Sequence, residues 1–522
     1  MAETAAVRGA TLRAMLVATA VLTPAVFLLS LAGGQRHFHG HGLPGLRGLV
    51  LAACVGLGVA VAIFGVRRSF LRRCVPPASP LALGVIRCWT CLVAASVALV
   101  TPAASIVHAP TAELTPMGVM DLLYAAPAGV GRLSFWVATT PAATHAFQGL
   151  TAALLLLAAA GWRTRWTLPL AAVAYLVLGG IPRSHLKFFH AGLLPFFALA
   201  VLSFLPCADA FSLDARRRRR AGGTPPPPGV PTPRHGRARF LVYLAIGLPY
   251  AAAGLSKFAG GGLFWAGPHN QRAMLFDQSL NPMGDAPFLP LLRMTPGFVF
   301  GFMGASALLA ELGMAFAATS RWVRRVIPPT IALMHAGTWA FMGIFFWESA
   351  LLMAVFLNWR PLGRALRLPL PPPGKPAERE ERDPTRFAVA AALLVVVSAV
   401  PWVLRTESYP LTAMQMFAGY HAADEVEHTR LFAIRASGAE EPAPFQDLGL
   451  LRLGRNLSLR AFEDTQERAR VDRLLADAAA GANAMQPEDP IVRLELRRYA
   501  YPLAGTASDV YADPLGTLAF DL

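Results

Sequence analysis

Residues 240–258 read FLVYLAIGLPYAAAGLSKF, an apolar run closed by a single lysine, Lys257. About 20 such residues cross the hydrocarbon of a bilayer. Comparable runs recur at approximately 13–33, 46–66, 81–105, 143–161, 167–181, 188–207, 295–317, 328–345, 346–358 and 387–404. The runs at 167–181 and 346–358 are short, so the expected total is about ten or eleven spans. Composition agrees, with 55% hydrophobic and 15% charged residues. A soluble domain carries about 25% charged residues. The fold class expected is an all-α polytopic membrane domain with about 10–11 transmembrane helices. A small α+β extracytoplasmic domain is expected to follow it at the C-terminal end.

The formal charge of +16 is concentrated between spans, at Arg67, Arg68, Arg72 and Arg73, at Arg216 to Arg220, and at Arg321, Arg324 and Arg325. Basic loops stay cytoplasmic, so these clusters set orientation. No extended basic face interleaved with aromatics is present, and nucleic acid is excluded as a partner. Span parity and charge together put the N-terminus in the cytoplasm and the C-terminal domain outside. The N-terminal stretch MAETAAVRGATLRAMLVATAVLTPAVFLLSLAGG reads as a first membrane helix rather than a signal peptide, because its apolar run is long and further spans follow.

The chain divides into two additional N-terminal spans in 1–75, a membrane domain over 80–370, a linker with the last span at 371–404, and residues 405–522. Proline- and glycine-rich stretches at 208–237 and 368–386 suit linkers. In the last part, TRLFAIRAS at 429–437 and IVRLELRRYAYPL at 491–503 alternate as strands do, and 462–485 reads as a helix. None of the five cysteines lies in this part, so it has no disulfide framework. Cys88 and Cys91 read as small buried residues. His37, His39 and His41 have neither carboxylate nor cysteine beside them, and no metal site is expected.

Lys257 stands at the rim of its span, where an amine is either a base activated by desolvation or a side chain reaching for the interface. The loop after it offers Trp265 for stacking, and His269 and Arg272 to polarise an oxygen. Glu311 and His335 fall inside apolar runs, where ionisable groups are costly unless paired or facing a cavity. A polar lock between helices, a place in an active site and a proton pathway all fit that pattern. Arg87 lies within LALGVIRCWTCLVAAS and needs a counter-charge or carbonyl partners. His185, His190 and Glu348 read as residues of the outer interface. The chain has no nucleotide-binding loop, zinc-protease motif or hydrolase serine elbow.

Several of these pieces, in order, form a recognisable set: LALGVIRCWTCLVAAS with Arg87, FSLDARRR with Asp214, AAAGLSKF followed by GGLFWAGPHNQRA, LLAELG with Glu311, and LMHAGTWAFMGIFFWE with His335. Over about 80–370 the chain resembles the HTTM domain, the membrane domain shared by vitamin K-dependent gamma-glutamyl carboxylases and bacterial homologues. PLTAMQMFAGY, with Met416 and Phe417, is similar to the opening of the outer region in some bacterial members. The resemblance implies a bacterial inner-membrane enzyme that uses reduced menaquinone or vitamin K and oxygen at an outward-facing site. There it would drive proton abstraction from, and carboxylation of, glutamyl groups. Lys257, Glu311 and His335 are then the catalytic residues, and Trp265, His269, Arg272 and Arg87 the cofactor-binding ones. Implied partners are membrane lipids, a lipophilic quinone, and a peptide or protein substrate on the outer face. The position before the lysine, often a second lysine in the carboxylases, is Ser256 here. The carboxylases' Trp-Asn-Asn-His stretch is missing from the comparable region LTPMGVMDLLYAAPAGVGRLSFWVATT, and residues 405–522 are too short for their large outer domain. The alternative readings are a non-carboxylating lipid- or quinone-binding membrane protein and a transporter.

Overall fold

The computed structural model describes residues 75–101, 103, 116–185, 189–280, 287–365, 367, 371–372, 374–375, 384–421, 423–443, 448, 455–503 and 513–522. The two expected N-terminal spans, together with His37, His39 and His41, lie outside the described residues. The helices used below are α1 (Pro80–Val100), α2 (Ala128–Thr139), α3 (Pro141–Ala160), α4 (Thr164–His185), α5 (Leu193–Leu202), α6 (Leu213–Arg220) and α7 (Pro233–Gly261). They continue as α8 (Pro268–Leu280), α9 (Gly297–Gly313), α10 (Val323–Met342), α11 (Trp347–Leu352), α12 (Pro384–Leu404) and α13 (Thr465–Met485).

Among the described residues six helices are long and apolar enough to cross a membrane: α1, α3, α4, α7, α9 and α12, four of them with slightly different bounds as spans. The other expected spans in this region come out differently. The run 188–207 yields only the ten-residue α5. The run 346–358 becomes α11 followed by a 3-10 turn at Met353–Phe356. The run 328–345 falls mostly within α10, whose Arg324, Arg325, Pro328 and Pro329 interrupt its apolar character. These pieces pack among the longer helices. Leu150, Leu156 and Leu157 of α3, Phe298, Phe302 and Leu309 of α9, and Leu393, Val396 and Val397 of α12 point outward and exposed. Such belts suit hydrocarbon, since helices satisfy their own backbone hydrogen bonds there. Leu83 and Ile86 of α1, Leu155 of α3, Leu199 of α5, and Val242 and Ile246 of α7 share one buried core.

The helix pairs are held at one end by a polar corner. The Arg87 guanidinium, fully buried, donates to the carbonyls of Cys207 (2.9 Å), Ala159 (3.1 Å) and Phe211 (2.6 Å). Those carbonyls belong to the end of α3 and the turns after α5. Beside it, Asp214 accepts from the Arg163 and Thr164 amides (2.8 and 2.7 Å) and from the Thr164 hydroxyl (2.7 Å). It therefore caps α4 from outside its own segment. Burial alone would raise the Asp214 carboxyl, but the hydrogen bonds from Thr164 and Arg163 outweigh it and hold the group below the usual carboxylate range. A depressed carboxylate stabilises the fold above its unfolded value and loses that contribution as pH falls through its folded value. Asp214→Ala should then cost about 1 kcal/mol at neutral pH. The difference from wild type should shrink below about pH 4, as thermal unfolding over a pH series will show.

Residues 405–522 form the small α+β unit that the sequence suggests. Four strands run antiparallel in the order β4-β3-β5-β6, with β3 at Glu425–Arg435, β4 at Glu440–Pro442, β5 at Ile491–Pro502 and β6 at Gly516–Asp521. A separate hairpin pairs β1 (Glu407–Ser408) with β2 (Leu411–Thr412). Leu431 and Ala433 of β3 and Leu494 and Leu496 of β5 point to one face, where Val471, Leu475 and Ala479 of α13 cover them. Alternation puts every second strand residue there. At the start of the unit, Val426 and Leu503 join a buried cluster with Ala273, Leu275 and Phe276 of α8. The segment after Lys257 reads in the sequence as a loop. It contains α8 instead, whose Asn270, Gln271, Ala273, Leu275 and Phe276 are buried.

Candidate functional site

Lys257 closes α7, and two glycines upstream explain its position. A Cβ at Gly247 would lie 2.6 Å from the Met314 carbonyl, and one at Gly254 would lie 3.0 Å from the Leu312 amide and 3.1 Å from Glu311 Cβ. Spaced seven apart, they face one side of the helix and let α9 approach closely. The next turn then carries Lys257 against Glu311, with Nζ donating to Oε1 at 2.7 Å. Both residues are only 4% exposed. A pair this deep has its desolvation offset only by good geometry, so neither partner is tolerable alone. The Lys257 ammonium also lies 5.5 Å from the Trp265 ring centroid, within cation–π range.

The pair borders a cavity of about 570 Å³. Tyr250, Ala253 and Lys257 line it from α7, Met303, Ala307 and Glu311 from α9, and His335 from α10. Spacings of three and four put each set on one helical face. Apart from these polar groups the wall is mostly apolar. Phe302, Leu333 and Trp339 line the cavity and are exposed, so it opens sideways onto the outward-facing surface of α9 and α10. At the polar end His335 Nε2 and the Tyr250 hydroxyl are 2.7 Å apart. Two atoms are left buried without a hydrogen-bond partner, Glu311 Oε2 and His335 Nδ1. Such atoms are rare in folded chains and call for an explanation, a catalytic role or a bound water among them.

The stretch 409–421 lies across the Lys257 end of the cavity. Ser256 donates to the Ala413 carbonyl (3.2 Å) and receives the Trp402 indole N–H (2.8 Å), and Trp265 Nε1 donates to the Phe417 carbonyl (2.9 Å). A Cβ at Gly260 would sit 2.1 Å from the Ala418 carbonyl, so only glycine lets this strap pass. Met414 and Phe417 hold left-handed backbone (φ 51° and 56°), which is costly without glycine and is sustained by those bonds. Met414, Met416 and Phe417 line the cavity.

The structure thus brings Lys257, Glu311, His335 and Trp265 to one cavity. His269 and Arg272 are not among its lining residues: His269 Nε2 meets the Ala423 carbonyl at 3.1 Å, and the Arg272 guanidinium sits 5.4 Å from the Phe276 ring. Arg87, also expected to contact the cofactor, is not among the lining residues either. Its Nη1 and Nη2 groups donate to three carbonyls at the polar corner, as an arginine buried among helices needs such partners. His190, read as an interface residue, lines the cavity and bonds Thr412 Oγ1 at 3.0 Å. Glu348, read the same way, is buried. Tyr250 was passed over, although it stands seven residues before Lys257 on the same face. Asn270 and Gln271 each donate to the Trp265 carbonyl at 2.7 Å and fix the indole beside the lysine. Among the described residues no cluster of histidine, cysteine and carboxylate side chains could hold a metal ion. Compared with protein-family models, with curated proteins and with solved structures, the chain matches none.

Proposed function

We propose that this protein is a carboxylase-like membrane enzyme that binds a reduced quinone in the Lys257 cavity and takes a proton from its hydroxyl group. The observation that carries the reading is a buried amine–carboxylate pair at the closed end of an apolar, sideways-opening cavity, beside unpartnered Glu311 Oε2 and His335 Nδ1. A cavity of this size suits a lipophilic ring with part of its chain. Hydroxyl hydrogens on such a ring match the free carboxylate oxygen, and Trp265 offers a flat apolar wall. Lys257 and Glu311 share protons at net zero charge. Moving one proton onto Glu311 leaves a neutral amine facing the ligand without creating charge in a dry site. When bound with oxygen, the reduced quinone supplies the strong base that the carboxylases use.

Orientation belongs to the same proposal. Near the start of α7, Arg324 lies 5.5 Å from the Tyr243 ring, and Arg218 and Arg234 pair with Asp209, which also meets His235 at 3.2 Å. With basic segments inside, the cavity's strap end and residues 405–522 face outward, as expected for an inner-membrane protein.

The test supplies purified protein with reduced menaquinone, oxygen, labelled bicarbonate and a glutamyl peptide. Epoxide and fixed label, both lost in Lys257→Ala that still elutes as a folded species, are the expected result. Epoxide without fixed label would assign a different acceptor to the same quinol chemistry. Neither product from folded wild type would contradict the proposal.

A further inference from the structure

A second cavity of about 220 Å³ lies beside the first. Tyr175 and Arg183 of α4, Trp347 and Glu348 of α11, and Tyr409 contribute to its wall, and exposed Val100 and Phe345 stand where it opens outward. The two cavities share a thin partition, for Ser349 lines the first and its neighbour Glu348 the second. Across that partition runs a line of polar atoms. His335 Nε2 and the Tyr250 hydroxyl are 2.7 Å apart, Tyr250 and Ser349 stand together in the wall of the first cavity, and the Ser349 hydroxyl donates to Glu348 Oε1 at 3.4 Å.

We propose that His335, Tyr250, Ser349 and Glu348 form a proton relay leading from the ligand cavity to the second cavity. The proposal rests on the quinol reading above and extends it. A quinol carries two hydroxyl groups. Lys257 with Glu311 accounts for one proton, and the relay accounts for the other. His335 Nδ1, buried and unpartnered, receives the proton as the ligand O–H bond breaks. The Nε2–H bond then breaks toward Tyr250, the Tyr250 proton passes to Ser349, and the Ser349 proton to the Glu348 carboxylate. One proton enters and one leaves at each step, no electrons move, and the imidazole remains neutral with its tautomer exchanged. A half-turn of the ring and rotation of the two hydroxyls restore the starting arrangement.

The far end is built to receive a proton. Glu348 Oε1 also accepts from the Gly192 amide at 3.2 Å, and Arg183 and the buried Tyr175 hydroxyl face the same cavity. Arg183 is held in place by the carbonyls of Phe189, Gly179 and Ala191, with the Phe189 and Tyr409 rings at 4.1 and 4.6 Å. Its positive charge is one of the groups that act against burial in favour of the carboxylate.

The experiment follows consumption of a short-chain menaquinol under oxygen, together with its anaerobic affinity, in wild type, Glu348→Gln and Ser349→Ala. The relay predicts unchanged affinity and a rate lowered at least about tenfold in each variant, with the double variant no slower than either alone. It also predicts that added formate, small enough for the second cavity, restores the rate of Glu348→Gln. Wild-type rates in both variants would overturn the relay while leaving the quinol reading intact. Loss of affinity without formate rescue would assign Glu348 a structural role and overturn it as well. If wild type binds no menaquinol, the quinol reading fails and the relay with it.

Discussion

Lys257→Met should lose about 3–5 kcal/mol of stability, and Lys257→Met/Glu311→Leu should recover most of that loss while remaining inactive. The single substitution strands a carboxylate that is 4% exposed and has Lys257 as its hydrogen-bond partner at 2.7 Å. Removing one member of a buried pair leaves an uncompensated charge, whereas replacing both with apolar groups of similar volume is often neutral. Glu311→Leu alone should be as damaging as Lys257→Met, because it strands the ammonium. The cycle separates two roles that a single alanine variant confuses. Stability returns in the double variant because the site is dry, and turnover does not return because the base is gone. Thermal unfolding in nanodiscs gives the first quantity, and menaquinol consumption gives the second. A double variant that is less stable than either single one would show that the pair is not the dominant interaction there.

The second large effect concerns Arg87. Arg87→Ala leaves the carbonyls of Cys207, Ala159 and Phe211 without their donor in a buried corner. Each unsatisfied buried group costs about 1–3 kcal/mol, so the loss should reach about 3–5 kcal/mol even with partial relaxation. Arg87→Lys should recover only a fraction of it, since one compact ammonium cannot reach carbonyls spread around a planar fork. The folded fraction of either variant should bind menaquinol as wild type does, because Arg87 does not line the cavity. Weakened binding in folded Arg87→Lys would return Arg87 to the ligand site.

The sequence carried much of this arrangement where local chemistry decides it. Lys257, Glu311 and His335 stood out as ionisable groups in apolar runs, and each is buried at the cavity. Strands at 429–437 and 491–503 showed in their alternation, and overlap β3 and β5 over 429–435 and 491–502. What stayed hidden depends on tertiary contact. Arg87 resembled a ligand contact because nothing in LALGVIRCWTCLVAAS indicates that the ends of other helices supply its carbonyls. Glu348 and His190 looked like interface residues because they stand in the first turn of, or just before, short apolar pieces, α11 and α5, that do not reach the length of a span. The strap over the cavity is held by Ser256 and Trp265, two residues far from it in the chain, and no periodicity reports such a crossing.

The most direct measurement is anaerobic calorimetry of short-chain menaquinol binding to wild type and to Gly337→Trp. Gly337 lines the cavity, and a Cβ added there meets nothing within 4 Å, so a large side chain can start from this wall and take up ligand space. The account predicts saturable one-to-one binding to wild type. In Gly337→Trp it predicts affinity at least about tenfold weaker, a loss of about 1.4 kcal/mol, with an unchanged melting temperature. Absence of binding to folded wild type, or equal binding by the blocked variant, would contradict the assignment of this cavity to a lipophilic quinol.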